Sequence, residues 1–230
     1  MARPLLDLQT LERSPTVANC LMNREREIRG TNSYAADLGF DVIEFLLEAL
    51  EGHQSVAWLD LCCGTGRALI EAADSFRNRK LAGRVSLVGV DLVDMFAPVA
   101  AGIENVTLRA VSAHDWSPPG VFDLITCVHG LHYVGDKLGL IARAALWLTA
   151  DGFFAAHLDL SNVKLVGAKS ANARFGKEFK RLGLDYDRRR HIVSCSGRRQ
   201  IAFPFHYVGA DDAAGPNFTR QPAVDSYYES

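Results

Sequence analysis

The sequence predicts an α/β fold, a largely parallel sheet covered by helices on both faces. Three observations predict it. Short apolar runs alternate with segments of helical spacing from Ser55 to about Asp159, the pattern of parallel strands joined by crossover helices. The first run, SVAWLDL, ends in an aspartate followed by CCGTG instead of continuing. The chain therefore turns tightly beyond a strand's carboxyl end, where open α/β sheets bind ligands. Two late runs, HIVSCS and QIAFPFHYV, flank Gly197 and suggest an antiparallel hairpin.

Each element has its own signal. Residues 5 to 29 are helix-prone, with Leu5, Leu8, Leu11, Val17, Leu21 and Ile28 interrupted by Pro15, and they close with the charged NREREIRG. In TNSYAADLGFDVIEFLLEALEG, Asp41 caps a helix whose Val42, Phe45, Leu46 and Ala49 recur at helical spacing, and Gly52 ends it. SVAWLDL is the first buried strand. Arg67 to Arg79 reads as a helix with Ala68, Leu69, Ala72, Ala73 and Phe76 on its inner side. RVSLVGVDL is the second strand, Val93 to Ala101 a short helix, and NVTLRAV and VFDLITCV the third and fourth strands. Lys137 to Leu148 reads as a helix, GFFAAHLDL as the fifth strand, residues 174 to 183 as a helix, and the hairpin follows. From Asp211 the chain, DDAAGPNFTRQPAVDSYYES, is polar and marked by Pro and Gly, the composition of a loose tail.

The bulk numbers narrow the function. At 230 residues and 48% hydrophobic, the chain suits one large domain with an ample core. Lys and Arg number 25 against 27 Asp and Glu, so charge gives no reason to expect nucleic acid as a partner. Arg188, Arg189, Arg190, Arg198 and Arg199 form either a local basic patch or a solvated turn between strands. Five scattered cysteines, Cys20, Cys62, Cys63, Cys127 and Cys195, fit a reducing, cytoplasmic compartment. No CxxC occurs and the adjacent pair is ill-placed to chelate, so no metal is expected. The N-terminus meets acidic residues too early for a signal peptide. No apolar run approaches the roughly 18 residues that span a bilayer, so no membrane partner is expected.

The site signals lie at the strand ends. Asp60 closes the first strand. Gly64 and Gly66 let the backbone turn and approach a ligand, and the next helix offers N–H groups at its start. These suit a phosphate or an amino-acid carboxylate. The strict phosphate loop, G-x-G-x-x-G, finds Leu69 at its third glycine position. LVGVDL ends in Asp91, placed either to accept from ribose hydroxyls or to cap a helix from Val93.

At these residues the chain resembles the class I S-adenosylmethionine-dependent methyltransferases, from about Val56 to Asp159 and more loosely to Val208. LDLCCGTGRALIEAA resembles the family's first motif, Asp-x-Gly-x-Gly-x-Gly with variants. LVGVDL resembles the second, and VSAHDWSPPGVFDLITCVHGLHYVGD the third and fourth. The resemblance implies a Rossmann-like three-layer sandwich, whose seven-stranded, mostly parallel sheet has an antiparallel last strand. It implies S-adenosyl-L-methionine as cofactor, with Asp60, Cys62, Gly64 and Gly66 around its methionine part. Asp91 and Leu92 match the ribose and adenine positions, Ser112 and Ala113 the adenine edge, and Val128 and His129 the surroundings of the reactive methyl. Two departures stand out. Cys62 replaces the usual first glycine, so the backbone there must take a conformation that a Cβ tolerates. Ser112 replaces a frequent aspartate and offers a weaker, neutral hydrogen bond, with Asp115 as the alternative. Tyr34 matches a tyrosine that covers the methionine end in family members of similar length. Arg24, Arg26 or Arg29 either pair with the cofactor carboxylate or mark an exposed helix end. The implied organisation is an N-terminal helical lid over 1–38, a methyltransferase domain over 39–210 and a loose tail over 211–230.

Such chemistry asks the protein chiefly to bind and align; a base helps only if the acceptor loses a proton. His129 and His132, in CVHGLHY, are the candidates. The other reading is that one caps a helix and the other packs under the next. His157 either faces the same mouth or packs within its strand, and His114 reads as a surface turn residue. Tyr34, Phe40, Tyr133, Phe175 and Phe179 near the predicted mouth suit a small-molecule methyl acceptor, apolar or aromatic, methylated on oxygen or nitrogen. The fourth-strand loop lacks the Asn/Asp-Pro-Pro-aromatic signature of nucleic-acid amino-methyltransferases. A protein or peptide acceptor and a non-catalytic cofactor binder are the alternatives, and a homodimer is the expected assembly. Leu69 counts against a nucleotide-dependent oxidoreductase. The loop HGLHY, with the single Asp136, counts against a polyamine synthase.

Overall fold

The computed structural model describes residues 4–18, 25–168 and 170–230. Its strands in chain order are β1 (Val56–Leu61), β2 (Val85–Asp91), β3 (Val106–Ala110), β4 (Phe122–Cys127), β5 (Leu148–His157), β6 (Val163–Leu165), β7 (Asp185–Asp187), β8 (Ile192–Ser196), β9 (His206–Asp211) and β10 (Asp225–Glu229). The helices are α1 (Leu8–Glu12), α2 (Pro15–Ala18), α3 (Tyr34–Leu38), α4 (Val42–Gly52), α5 (Arg67–Asn78), α6 (Lys137–Leu146) and α7 (Asn172–Arg181).

The main sheet has seven strands in the order β3-β2-β1-β4-β5-β8-β7. The first five are parallel, and β8 runs antiparallel to both β5 and β7. Every residue of β4 is buried, as a strand covered on both faces requires. Alternation along β1 separates the two cores. Val56 and Trp58 pack with α3, α4 and α5, whereas Leu59 and Leu61 pack with α6 and α7. This is the Rossmann-like three-layer sandwich. The strand order reverses around β1, so β1, β2 and β4 end together and form the crevice in which ligands of such sheets lie.

Local chemistry explains the helices. Asp41 caps α4 by accepting from the N–H groups of Ile43 (2.9 Å) and Glu44 (3.2 Å). Ser33 caps α3, accepting from Ala36 N–H, and Gly39 ends it at φ 76°. Three expectations need correction. Val93 to Ala101 forms no helix: Asp91 accepts from Val93 N–H, but Pro98 supplies no N–H and the segment is irregular. QIAFPFHYV does not join the main sheet. Pro204 breaks the run, and only its end enters β9, which pairs elsewhere; the hairpin strand beside β8 is the short β7. The tail is not loose over its whole length. β10 pairs parallel with β6 and antiparallel with β9 in a second, three-stranded sheet.

That second sheet is fastened to the first. Lys137, fully buried at the start of α6, donates to Val134 O (2.8 Å), Val224 O (2.8 Å) and Ser226 Oγ (2.7 Å). Tyr228 Oη accepts from Leu138 N–H and donates to Asp136, each at 3.0 Å. At the other end of the chain, Leu6 and Ala210 exchange backbone hydrogen bonds of 2.8 and 2.9 Å. Leu11 and Val17 then pack on Tyr133, Ala210 and Val224. No helix among the described residues is long and apolar enough to cross a membrane.

Burial pulls the Lys137 ammonium down to about 7, against the charges of Asp225, Asp136 and Asp159. The unfolded chain, with a lysine pKa of about 10.4, binds more protons between these values, so this group adds stability as pH rises from 7 towards 10. Lys137→Met leaves its buried oxygen partners without their donor and is expected to cost about 3 kcal/mol in urea denaturation at pH 8. The gap between wild type and variant should widen from pH 7 to pH 9; a constant gap would show that Lys137 does not titrate there.

Candidate active site

The turn after β1 is built on the left-handed conformation. Cys62, Gly64 and Gly66 have φ of 57°, 60° and 72°. Cys62 thus adopts the conformation that a glycine takes freely, at a cost of roughly 1–2 kcal/mol. Gly64 N–H donates to Asp91 Oδ2 (2.8 Å), tying the turn to the end of β2. Gly66 opens α5 without a side-chain cap, and a Cβ there would lie 2.9 Å from Leu108.

Asp60 is buried beneath this turn, 1% exposed. Tyr34 Oη donates to its Oδ2 (2.5 Å) and Thr126 Oγ1 to its Oδ1 (2.6 Å), while Trp58 Nε1 donates to Thr126 Oγ1 (2.8 Å). Burial raises the carboxyl to about 7, against both hydroxyl donors and with the Asp91 charge adding to the rise. Tyr34 of α3 is thereby fixed, itself buried, against Asp60 and the Trp58 ring.

Beside the turn lies a cavity of about 70 Å³ lined by Cys62, Asp91, Leu92, Ala113, Gly130 and Tyr133, and roofed by Glu12 and Val17. Ser112 borders this region. Its Oγ donates to Glu12 Oε1 (2.5 Å) and accepts from His114 N–H (3.1 Å). The carboxylate beside Ser112 therefore comes from α1 and not from Asp115, which is exposed. Burial raises the Glu12 carboxyl, the Ser112 hydrogen bond opposes this, and Asp115 adds to it. Nothing in the local sequence pointed to Glu12. His114, expected on the surface, is partly buried and lines the cavity.

At the end of β4 follow Val128, 5% exposed, and His129 at φ 59°. The His129 and His157 rings stack at 4.0 Å and 6°. His132 lies 5.7 Å from His129, between centroids. Phe218 packs near all three and stacks on His191 at 4.1 Å. His129 Nδ1, His157 Nδ1 and both nitrogens of His132 are buried without a hydrogen-bond partner among the described residues. Burial, followed by the His129 charge, holds His132 well below the usual histidine range and His157 down to about 3. Asp37 Oδ1 lies 3.4 Å from His129 Nε2, and Arg26 pairs with Oδ2. Burial pushes the Asp37 carboxyl up, but the approach and charge of His129, with the charges of Arg26 and His157, outweigh it and leave the carboxyl low.

Other expected site residues lie elsewhere. Arg26 and Arg29 are engaged with Asp37 and with Asp41 and Glu44; Arg24 lies outside the described residues. Phe40 packs on Phe45 and Phe153, and Phe175 and Phe179 form the buried face of α7, against Phe205 and Phe203. The aromatic ring at the mouth is Phe218, from the segment expected to be loose. A roomier cavity, about 830 Å³, opens at the amino ends of the strands around Val56, Val85, Asp123 and Thr149. There the Asp123 carboxylate already accepts from Ala57 N–H and Thr149.

Comparison with known proteins gives a family. The methyltransferase-domain family matches residues 28–200. No curated protein sequence matches the chain. Among solved structures, the plantazolicin methyltransferase BpumL in complex with S-adenosylhomocysteine (SAH) is 14% identical, covering 67% of this chain and 58% of its own, with a TM-score of 0.46. Coclaurine N-methyltransferase bound to N-methylheliamine and SAH is 13% identical over 68% and 48%, with a TM-score of 0.44. CalS10, an amino pentose methyltransferase from Micromonospora echinaspora, is 22% identical over 51% and 48%, with a TM-score of 0.40. The chain thus spans about half the length of these proteins. The family match covers well over half of the chain, and the main sheet is seven-stranded and mostly parallel with an antiparallel strand, as expected: this chain belongs to the class I S-adenosylmethionine-dependent methyltransferases.

Proposed function

We propose that this protein methylates an oxygen or nitrogen of a small, apolar or aromatic metabolite. The single observation that carries the reading is the group of buried imidazoles with unpaired nitrogens, in the same loop as Gly130 and Tyr133 of the cavity wall. S-adenosyl-L-methionine supplies an electrophilic methyl on a sulfonium. The residues suit its two ends: the cavity wall is apolar, with Asp91 at one rim and the Glu12–Ser112 pair at the other, and Gly130 has no room for a Cβ, which would lie 2.3 Å from Cys62 Cβ.

In this reading Asp60, Cys62, Gly64 and Gly66 hold the methionine part, with Tyr34 orienting Asp60. Asp91 and Leu92 take the ribose and adenine, and Ala113 and Ser112, with Glu12, take the adenine edge. Val128 packs beside the reacting centre. His129 orients the acceptor, and His132, which burial keeps neutral, takes its proton where it has one to lose. A cavity of about 70 Å³ is several-fold smaller than the roughly 300 Å³ or more of ligand pockets. Residues 4–18 therefore act as a lid that lifts to admit the cofactor, within an N-terminal region over 1–38; residues 39–210 carry the chemistry. The enclosed mouth favours a metabolite over nucleic acid or a membrane surface, and a homodimer is the assembly expected.

Four results test this. SAH should raise the melting temperature and NAD should not. Asp91→Ala should weaken SAH binding about 10- to 100-fold by calorimetry, the range for hydrogen bonds to a charged group; unchanged affinity would remove Asp91 from the site. Glu12→Gln should weaken SAH about 3- to 10-fold, and an unaffected variant would leave Glu12 a lid contact only. With labelled cofactor and a panel of phenols, amines and peptides, label should pass to small acceptors, and His132→Gln should slow transfer about 10²-fold or more without changing SAH affinity. Transfer to peptides alone would overturn the acceptor class.

A further inference from the structure

Asp37, His129 and His157 come from three separate elements: α3, the turn after β4 and the end of β5. One ligating atom of each lies within 4.8 Å of the other two. His129 and His157 are 7% and 3% exposed, and the Nδ1 of each lacks a hydrogen-bond partner among the described residues. A buried polar atom left unpaired costs about 1–3 kcal/mol, and native folds rarely carry several together. Their stacked rings make no hydrogen bond with each other. The 3.4 Å between Asp37 Oδ1 and His129 Nε2 is long for a hydrogen bond. The other Asp37 oxygen is held by Arg26, and Arg190 Nη2 donates to Asp37 O at 3.1 Å. Arg26 thus fixes the carboxylate and Arg190 the backbone carbonyl of the same residue, as outer partners fix the ligands of metal sites.

We propose that Asp37, His129 and His157 bind a divalent transition-metal ion at the acceptor end of the crevice. Two imidazoles and one carboxylate suit Zn²⁺, Fe²⁺, Co²⁺ or Ni²⁺, whereas Mg²⁺ and Ca²⁺ take oxygen ligands. Metal–ligand bonds of about 2.0–2.2 Å require the three atoms to close in from their present spacing by small side-chain rotations. Three protein ligands leave positions open for water or for an oxygen of a second molecule. Asp37, with its side chain 23% exposed, gives the ion a path from solvent. Cysteine spacing gave no hint of this site, because the ligands are far apart in sequence and none is a thiol. The role of the ion rests on the methyltransferase reading: it selects acceptors with a hydroxyl, phenol or carboxylate oxygen to bind it. Phe218, 6.0 and 6.1 Å from the His129 and His157 rings, supplies the apolar side against which the rest of such an acceptor packs.

The test uses the full chain, stripped with chelator and then dialysed against Co²⁺ alone. About one Co²⁺ per chain should bind, with visible bands of a nitrogen–oxygen site and no thiolate charge-transfer band. Asp37→Asn and His157→Gln should each weaken Co²⁺ binding at least tenfold while SAH still binds in calorimetry. Well under one ion per chain, a thiolate band, or Co²⁺ affinity unchanged in both variants would overturn the site. If a variant fails to fold by circular dichroism, the wild-type stoichiometry and spectrum decide. SAH binding without Co²⁺ binding sinks the metal site and leaves the methyltransferase reading standing. Co²⁺ binding that the variants abolish, without SAH binding, does the reverse.

Discussion

The buried Asp60 carboxylate is the constraint from which the site is assembled. Its two oxygens are taken by hydroxyls from different parts of the chain, Tyr34 on α3 and Thr126 on β4. An acid at 1% exposure is tolerated only when its acceptors are filled, so the three elements are bound to one another. The consequence passes along α3. Tyr34 and Asp37 are three residues apart and share a helix face. Fixing the tyrosine on Asp60 therefore turns Asp37 towards His129 at the end of β4. The floor of the crevice and the charged group at its mouth are set by the same hydrogen bond.

Much of the main sheet was legible in the sequence, because buried parallel strands are written as short apolar runs. β1, β2, β4 and β5 are such runs, and α4 announces itself through Asp41. The elements that escaped have mixed patterns. β10, DSYYE, carries charges at both ends and has no continuous apolar run, so its composition resembles that of a tail. β7 is three residues long and mostly exposed. In QIAFPFHYV the apolar residues Ile201 and Phe205 are buried without being in a strand, since packing and not pairing accounts for them.

The same distinction applies to the site. Asp60, the glycine turn and Asp91 lie at strand ends and could be placed from local order. Glu12 lies 100 positions from Ser112, and Phe218 reaches the histidines from the far end of the chain. Such meetings depend on how the N-terminal helices and the second sheet settle over the crevice, and no spacing in the sequence encodes them. His157 illustrates the boundary. Its position at the end of β5 was readable, but whether it faced the mouth or the core depended on the parallel register of β4 with β5, which sets its ring against His129.

The clasp between Leu6 and Ala210, with β10 inserted between β6 and β9, also imposes an order on biosynthesis. Leu6 leaves the ribosome long before its partner Ala210. The five parallel strands can collapse while translation continues, since domains fold as their segments emerge. The covering of the crevice has to wait for β9 and β10, so a nascent protein exposes its half-built mouth until both have emerged.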